Sequence, residues 1–104
     1  MDTAPARITV RRDAPDDVGH RQIIMSVDGE PLAILTYKQS VTREFAPGRH
    51  TLKAYNTLVT KTIDFDLAAG GHAEFVVANV SSGWMFSALA VLGVGPIGLR
   101  LERA

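Results

Sequence analysis

Residues 23–37 read Ile-Ile-Met-Ser-Val-Asp-Gly-Glu-Pro-Leu-Ala-Ile-Leu-Thr-Tyr. Ile23, Met25 and Val27 share one phase of a period-two pattern; Ile24 and Ser26, with Gln22 before them, share the other. That is the spacing of a strand with one buried face. Asp28-Gly29 then interrupts it. Both central residues of a type I′ turn need positive φ, which Asp tolerates and Gly adopts freely, so Asp-Gly between two apolar runs is a strong hairpin signal. Residues 31–37 form the return strand, opened by Pro31, which is tolerated at a strand's first position.

The same punctuation recurs on both sides. Downstream, Val41–Phe45 is a short strand with Val41, Arg43 and Phe45 in phase. Ala46-Pro47-Gly48 is a turn, since Pro presets φ and Gly supplies a positive one. Arg49–Tyr55 resumes alternation with Leu52 and Ala54 inward. Thr60–Leu67 alternates most cleanly: Ile63, Phe65 and Leu67 face one way, and Thr62, Asp64 and Asp66 the other. Ala68-Ala-Gly-Gly71 breaks it, and His72–Val80 is rich in strand-forming Phe and Val. Upstream, residues 7–12 place Ile8 and Val10 on one face, and Asp13–Gly19 reads as a loop. Seven strand-like runs at short spacing, with turn signals between them, point to an all-β sandwich or barrel.

Three pieces of this stretch, Val27-Asp28-Gly29, Phe45-Ala-Pro-Gly-Arg-His50 and Phe65-Asp-Leu67 followed by Gly70-Gly71, together resemble a PEGA-type domain. That is a small β-sandwich module of prealbumin-like shape. The resemblance spans residues 23–80. The apolar segment and the Gly-Pro-Ile-Gly-Leu-Arg-Leu-Glu-Arg ending that follow depart from it. The resemblance implies a non-enzymatic binding or structural module.

Composition narrows the function classes. At 104 residues the chain has the length of one domain. The 11 basic and 11 acidic residues cancel, whereas a nucleic-acid binder carries a basic excess to neutralise phosphates. The Arg11-Arg12 pair is followed at once by Asp13, Asp16 and Asp17. Nucleic acid is therefore not an expected partner. The absence of cysteine removes disulfides, thiolate metal sites and thiol nucleophiles, and fits a reducing compartment. Met1–Val10 lacks the apolar core of a secretory signal. The expected location is cytoplasmic, with a peripheral membrane position as the alternative.

No motif carries catalysis. None of Ser26, Ser40, Ser81, Ser82 and Ser87 sits in a nucleophile elbow, and Gly70-Gly71 and Gly93-Val-Gly95 lack the ending of a phosphate loop. His20, His50 and His72 each lie near a strand start and would bind metal only if they converged. Asp13, Asp16 and Asp17 offer oxygens suited to calcium, but not in the order of an EF-hand loop. Arg49, His50 and Lys53, with Arg43 and Lys61, could form a cationic patch. Asn56-Thr57 has the chemistry of a local side-chain turn. No cofactor, metal or catalytic residue is expected.

The last quarter differs, because residues 75–99 carry no charged side chain. Residues 84–92 suit a short apolar helix or turn, which Gly93, Gly95, Pro96 and Gly98 would stop. Ile97, Leu99 and Leu101 alternate with Gly98, Arg100 and Glu102, a closing edge strand over 97–102. Trp84, Met85, Phe86, Leu89 and Leu92 have three readings: a cap on the open end of the sandwich, an exposed interface for a partner or second copy, or a membrane contact. A spanning helix needs about 20 apolar residues, and the glycines and Pro96 disfavour one.

The expectation is thus one domain over residues 1–104, an antiparallel β-sandwich of seven or eight strands. A short apolar helix or loop (81–96) precedes its last strand. The expected function is a non-enzymatic interaction or structural module, self-associating through residues 84–92 or an edge strand. The alternatives are a peripheral membrane protein and a small-ligand or metal-binding domain.

Overall fold

The computed structural model describes residues 5–17, 19, 22–57, 59–80 and 98–104. The described residues are all β, with eight strands: β1 (Ala6–Arg11), β2 (Ile23–Val27), β3 (Glu30–Leu35), β4 (Ser40–Phe45), β5 (Gly48–Tyr55), β6 (Thr60–Leu67), β7 (His72–Val80) and β8 (Gly98–Arg103). They form two four-stranded sheets, ordered β4-β1-β7-β8 and β3-β2-β5-β6. The chain shuttles between them, placing β1 in the first, β2–β3 in the second, β4 in the first, β5–β6 in the second and β7–β8 in the first.

Each hairpin follows its turn chemistry. Asp28 and Gly29 have φ of 51° and 83°, so the connection is the two-residue turn that Asp-Gly specifies, with Val27 opposite Glu30. At the 68–71 turn, the Gly71 N–H donates to the Ala68 carbonyl at 2.8 Å. A Cβ on Gly71 would meet that same oxygen at 2.8 Å, so the turn closes too tightly for any side chain there.

The alternation read from the sequence becomes the core. Ile8, Val10, Ile23, Met25, Leu52, Phe75 and Val77 are fully buried. Leu32, Leu35, Phe65, Leu67 and Leu99 join them in one cluster drawn from both sheets. Phe65 of one sheet meets Phe75 of the other edge-on, with ring centroids 4.8 Å apart. Each such aliphatic or aromatic side chain contributes about 1.5–3 kcal/mol of burial.

Two features correct the sequence reading. The arrangement is not wholly antiparallel, since β1 runs parallel to β7, with Ile8 beside Ala73 and Val10 beside Phe75. Turn signals report only pairings between consecutive strands. A parallel pair is joined by a long crossover, here the whole β2–β6 excursion through both sheets. The second feature is a bulge: Met25 faces Ala33, but Ser26 faces Pro31, so Leu32 is an extra residue. Leu32 and Leu35 are therefore both buried at an odd spacing, and the Pro falls one position inside the strand. The apolar segment 81–96, including the helix expected there, lies outside the described residues. Strand β8 follows it as an edge strand, as its alternation suggests.

Candidate functional site

Chemistry-bearing side chains gather at the two opposite ends of the strands and on one outer face. At the end where β2 finishes, His50 of β5 lies between two turns. Its Nδ1 is 2.6 Å from Asp28 Oδ2 and its Nε2 is 2.7 Å from the Ala46 carbonyl oxygen. Asp28 Oδ1 also accepts the Thr51 N–H at 2.8 Å. The imidazole sits beside Phe45 and Phe65, with ring centroids at 5.8 and 6.0 Å, and its side chain is 11% exposed. The Ala46 carbonyl and the Asp28 carboxylate both hold the second proton on the ring, so the His50 pKa is raised. Hydrogen bonds from His50 and Thr51 lower that of Asp28 in turn.

The other end, where β1 finishes, is built on Arg12. Its side chain and that of Asp17 are fully covered. Arg12 donates from Nε to Asp17 Oδ2 at 2.8 Å, from Nη2 to Oδ1 at 3.2 Å and from Nη1 to the Leu35 carbonyl at 2.8 Å. Burial alone would raise the Asp17 pKa. Hydrogen bonds from Arg12 and the Gly19 N–H outweigh it, and the net shift is downward. Alongside, buried Asn56 donates from Nδ2 to Oδ1 of buried Asn79 at 3.0 Å, while its own Oδ1 accepts the Val59 N–H at 2.7 Å. Arg100 of β8 grips Asp16 through both Nη1 and Nη2, at 2.5 and 2.8 Å.

The outer face of the β3-β2-β5-β6 sheet carries a third feature. Ile34, Ile24 and Tyr55 stand side by side across three strands, because Ile24 pairs with Ile34 on one side and with Tyr55 on the other. Their exposures are 56%, 36% and 37%. Further along β5 and β6 the same face turns polar: Lys53 and Thr62, then Thr51 bonded to Asp64, then Arg49 paired with Asp66.

The other residues singled out in the sequence fall as follows. His72 lies on the first sheet, where its Nε2 is 2.6 Å from Thr9 Oγ1, which in turn meets Thr42 Oγ1 at 2.8 Å. His50 and His72 thus have separate partners on different sheets, and His20 lies outside the described residues. Asp16 and Asp17 face arginines rather than an open cation site, and no group of metal-binding side chains occurs among the described residues. The cationic patch does not assemble as imagined: Arg49 and His50 pair with acids, and Arg43 belongs to β4 in the other sheet. Asn56-Thr57 does form its turn. Trp84, Met85, Phe86, Leu89 and Leu92 lie outside the described residues.

Sequence reasoning missed two elements here. One is the inward role of Arg12, although Ile8, Val10 and Arg12 share a phase. The other is Asn79, an amide inside the Phe75–Val80 apolar run. No enclosed cavity is present among the described residues, and no helix among them is long and apolar enough to cross a membrane. The sequence matches no protein-family profile and no curated protein.

Proposed function

We propose that the protein is a non-enzymatic interaction module of β-sandwich build, PEGA-like in type, that self-associates through edge strand β3. The row Ile34–Ile24–Tyr55 carries this reading. Isolated apolar residues on a surface are ordinary, but a contiguous row ending at a strand edge that is unpaired among the described residues presents both apolar area and backbone groups to a partner. The bulge and Pro31 obstruct the first half of that edge and leave the part around Ile34 available. A twofold pairing of β3 with its own copy, centred on Ile34, would set Ile34 against itself and continue the row across both molecules. Such an isologous contact is the common way for identical chains to close on each other.

Light scattering on a sizing column, with and without liposomes, tests the proposal. The expected result is a discrete dimer that ignores liposomes and becomes a folded monomer on Ile34→Lys. A wild-type protein that stays monomeric up to about 100 μM, a concentration above ordinary specific affinities, would overturn it. A dimer unaffected by the substitution would move the contact away from β3. Comigration with liposomes would favour a membrane role for residues 84–92.

A further inference from the structure

We propose that His50 is a proton-operated clamp: doubly protonated, it ties the Asp28–Gly29 turn to the Ala46–Pro47 connection, and on losing one proton it releases the latter. The argument is one of donors and acceptors. A carboxylate oxygen and a backbone carbonyl oxygen can only accept, so both contacts are hydrogen bonds only when both ring nitrogens carry hydrogen. At 2.6 and 2.7 Å, both nitrogens are within hydrogen-bond distance of an oxygen that can only accept. The rings of Phe45 and Phe65 flank the imidazole and fix its orientation between the two acceptors.

The neutral ring keeps a single N–H. The Asp28 carboxylate, already held by the Thr51 N–H, is the stronger acceptor and retains it on Nδ1. Nε2 then turns a lone pair toward the Ala46 oxygen, and that contact becomes repulsive. Ala46 and Pro47 form the strand-to-strand connection from β4 in one sheet to β5 in the other. The clamp therefore acts where the chain passes between sheets.

The charged surroundings leave Asp28 as the group in control. On β5 and β6, Arg49, Asp64 and Asp66 occupy the opposite phase and engage partners on the outer face. From β4, Arg43 and Glu44 are exposed. Glu30 follows the turn and is exposed at the start of β3. This inference is independent of self-association, because the Ile34 row lies at the far end of β2.

The test is an NMR titration of the wild-type protein from pH 5 to 9, following the His50 ring nitrogens and the backbone amides of Gly48 and Arg49. The expected result is a doubly protonated ring at pH 6. Its midpoint should lie above the ordinary imidazole value of about 6.5, and the Gly48 and Arg49 amides should shift with the same midpoint. In His50→Gln those amide shifts should disappear. A His50 midpoint at or below the ordinary value, or amides that titrate unchanged in His50→Gln, would overturn the proposal. Asp28→Asn supplies a second reading: removing the carboxylate should lower the midpoint, and an unchanged midpoint counts against the clamp.

Discussion

The two ends of the strands solve one problem with different chemistry. Each must hold a turn or loop against the sheets, and each uses a cation between a carboxylate and a backbone carbonyl. At one end Arg12 joins Asp17 and the Leu35 oxygen, wholly covered. At the other His50 joins Asp28 and the Ala46 oxygen, with Asp28 46% exposed. Arginine keeps its charge at any pH a protein survives, whereas histidine changes charge near neutrality. The first end is therefore permanent and costly to break; the second is weaker and conditional.

The largest expected effect tests the permanent end. Arg12→Met strands a covered carboxylate, and breaking a buried pair costs about 3–5 kcal/mol. Urea unfolding should show that loss, with much of it recovered in the Arg12→Met, Asp17→Leu double variant, where no charge is stranded. A loss under about 1 kcal/mol would mean that water reaches Asp17 readily, and the contrast between the ends would collapse. Next in size is Asn79→Ala, which removes the Asn79 Oδ1 acceptor from the buried Asn56 amide, at about 1–3 kcal/mol. A double-mutant cycle with Asn56→Ala should show the two losses to be strongly non-additive, since they share one hydrogen bond.

The conditional end gives a smaller effect with a distinctive shape. The raised His50 pKa contributes stability that is fully present below the unfolded value of about 6.5 and is lost as pH rises through the folded one. The lowered Asp28 pKa contributes stability present above about 3.8–3.9 and lost as pH falls through its folded value. The melting-temperature difference between wild type and His50→Gln should therefore be largest between those limits and shrink on either side. A flat difference from pH 5 to 9 would make the His50 end as permanent as the other. The smallest effect on the single chain's own stability belongs to Ile34→Lys, within about 0.5 kcal/mol at concentrations too low for association. Its larger consequence should be on molecular mass.

Strand positions were legible in the sequence because each is bounded by local chemistry. Asp28-Gly29, Pro47-Gly48 and Gly70-Gly71 mark turns at which the structure also turns. The inward sets Ile8/Val10, Ile23/Met25/Val27 and Phe65/Leu67 are buried as their phase requires. What stayed hidden is non-local. Nothing near β1 announces that it will lie beside β7, and no pattern marks Leu32 as an extra residue, because a bulge exists only relative to a partner strand. The site followed the same rule. The Asn56 turn is local and was readable, while Arg12–Asp17 depended on how the loop after β1 brings Asp17 back to Arg12. His50 meeting Asp28 required two hairpins to be adjacent.

The parallel placement of β1 beside β7 also bears on the order in which the molecule can assemble. The sheet β3-β2-β5-β6 uses only residues 23–67, paired as two hairpins and one further antiparallel contact, so it can form as soon as that stretch exists. Strand β1 is made earlier, yet one of its two neighbours is β7, which does not begin until His72. Contacts that span much of the chain are slow to close. During synthesis β1 therefore waits with one edge open until β7 leaves the ribosome, and in that interval the unpaired edge is exposed to mispairing with another copy of the chain.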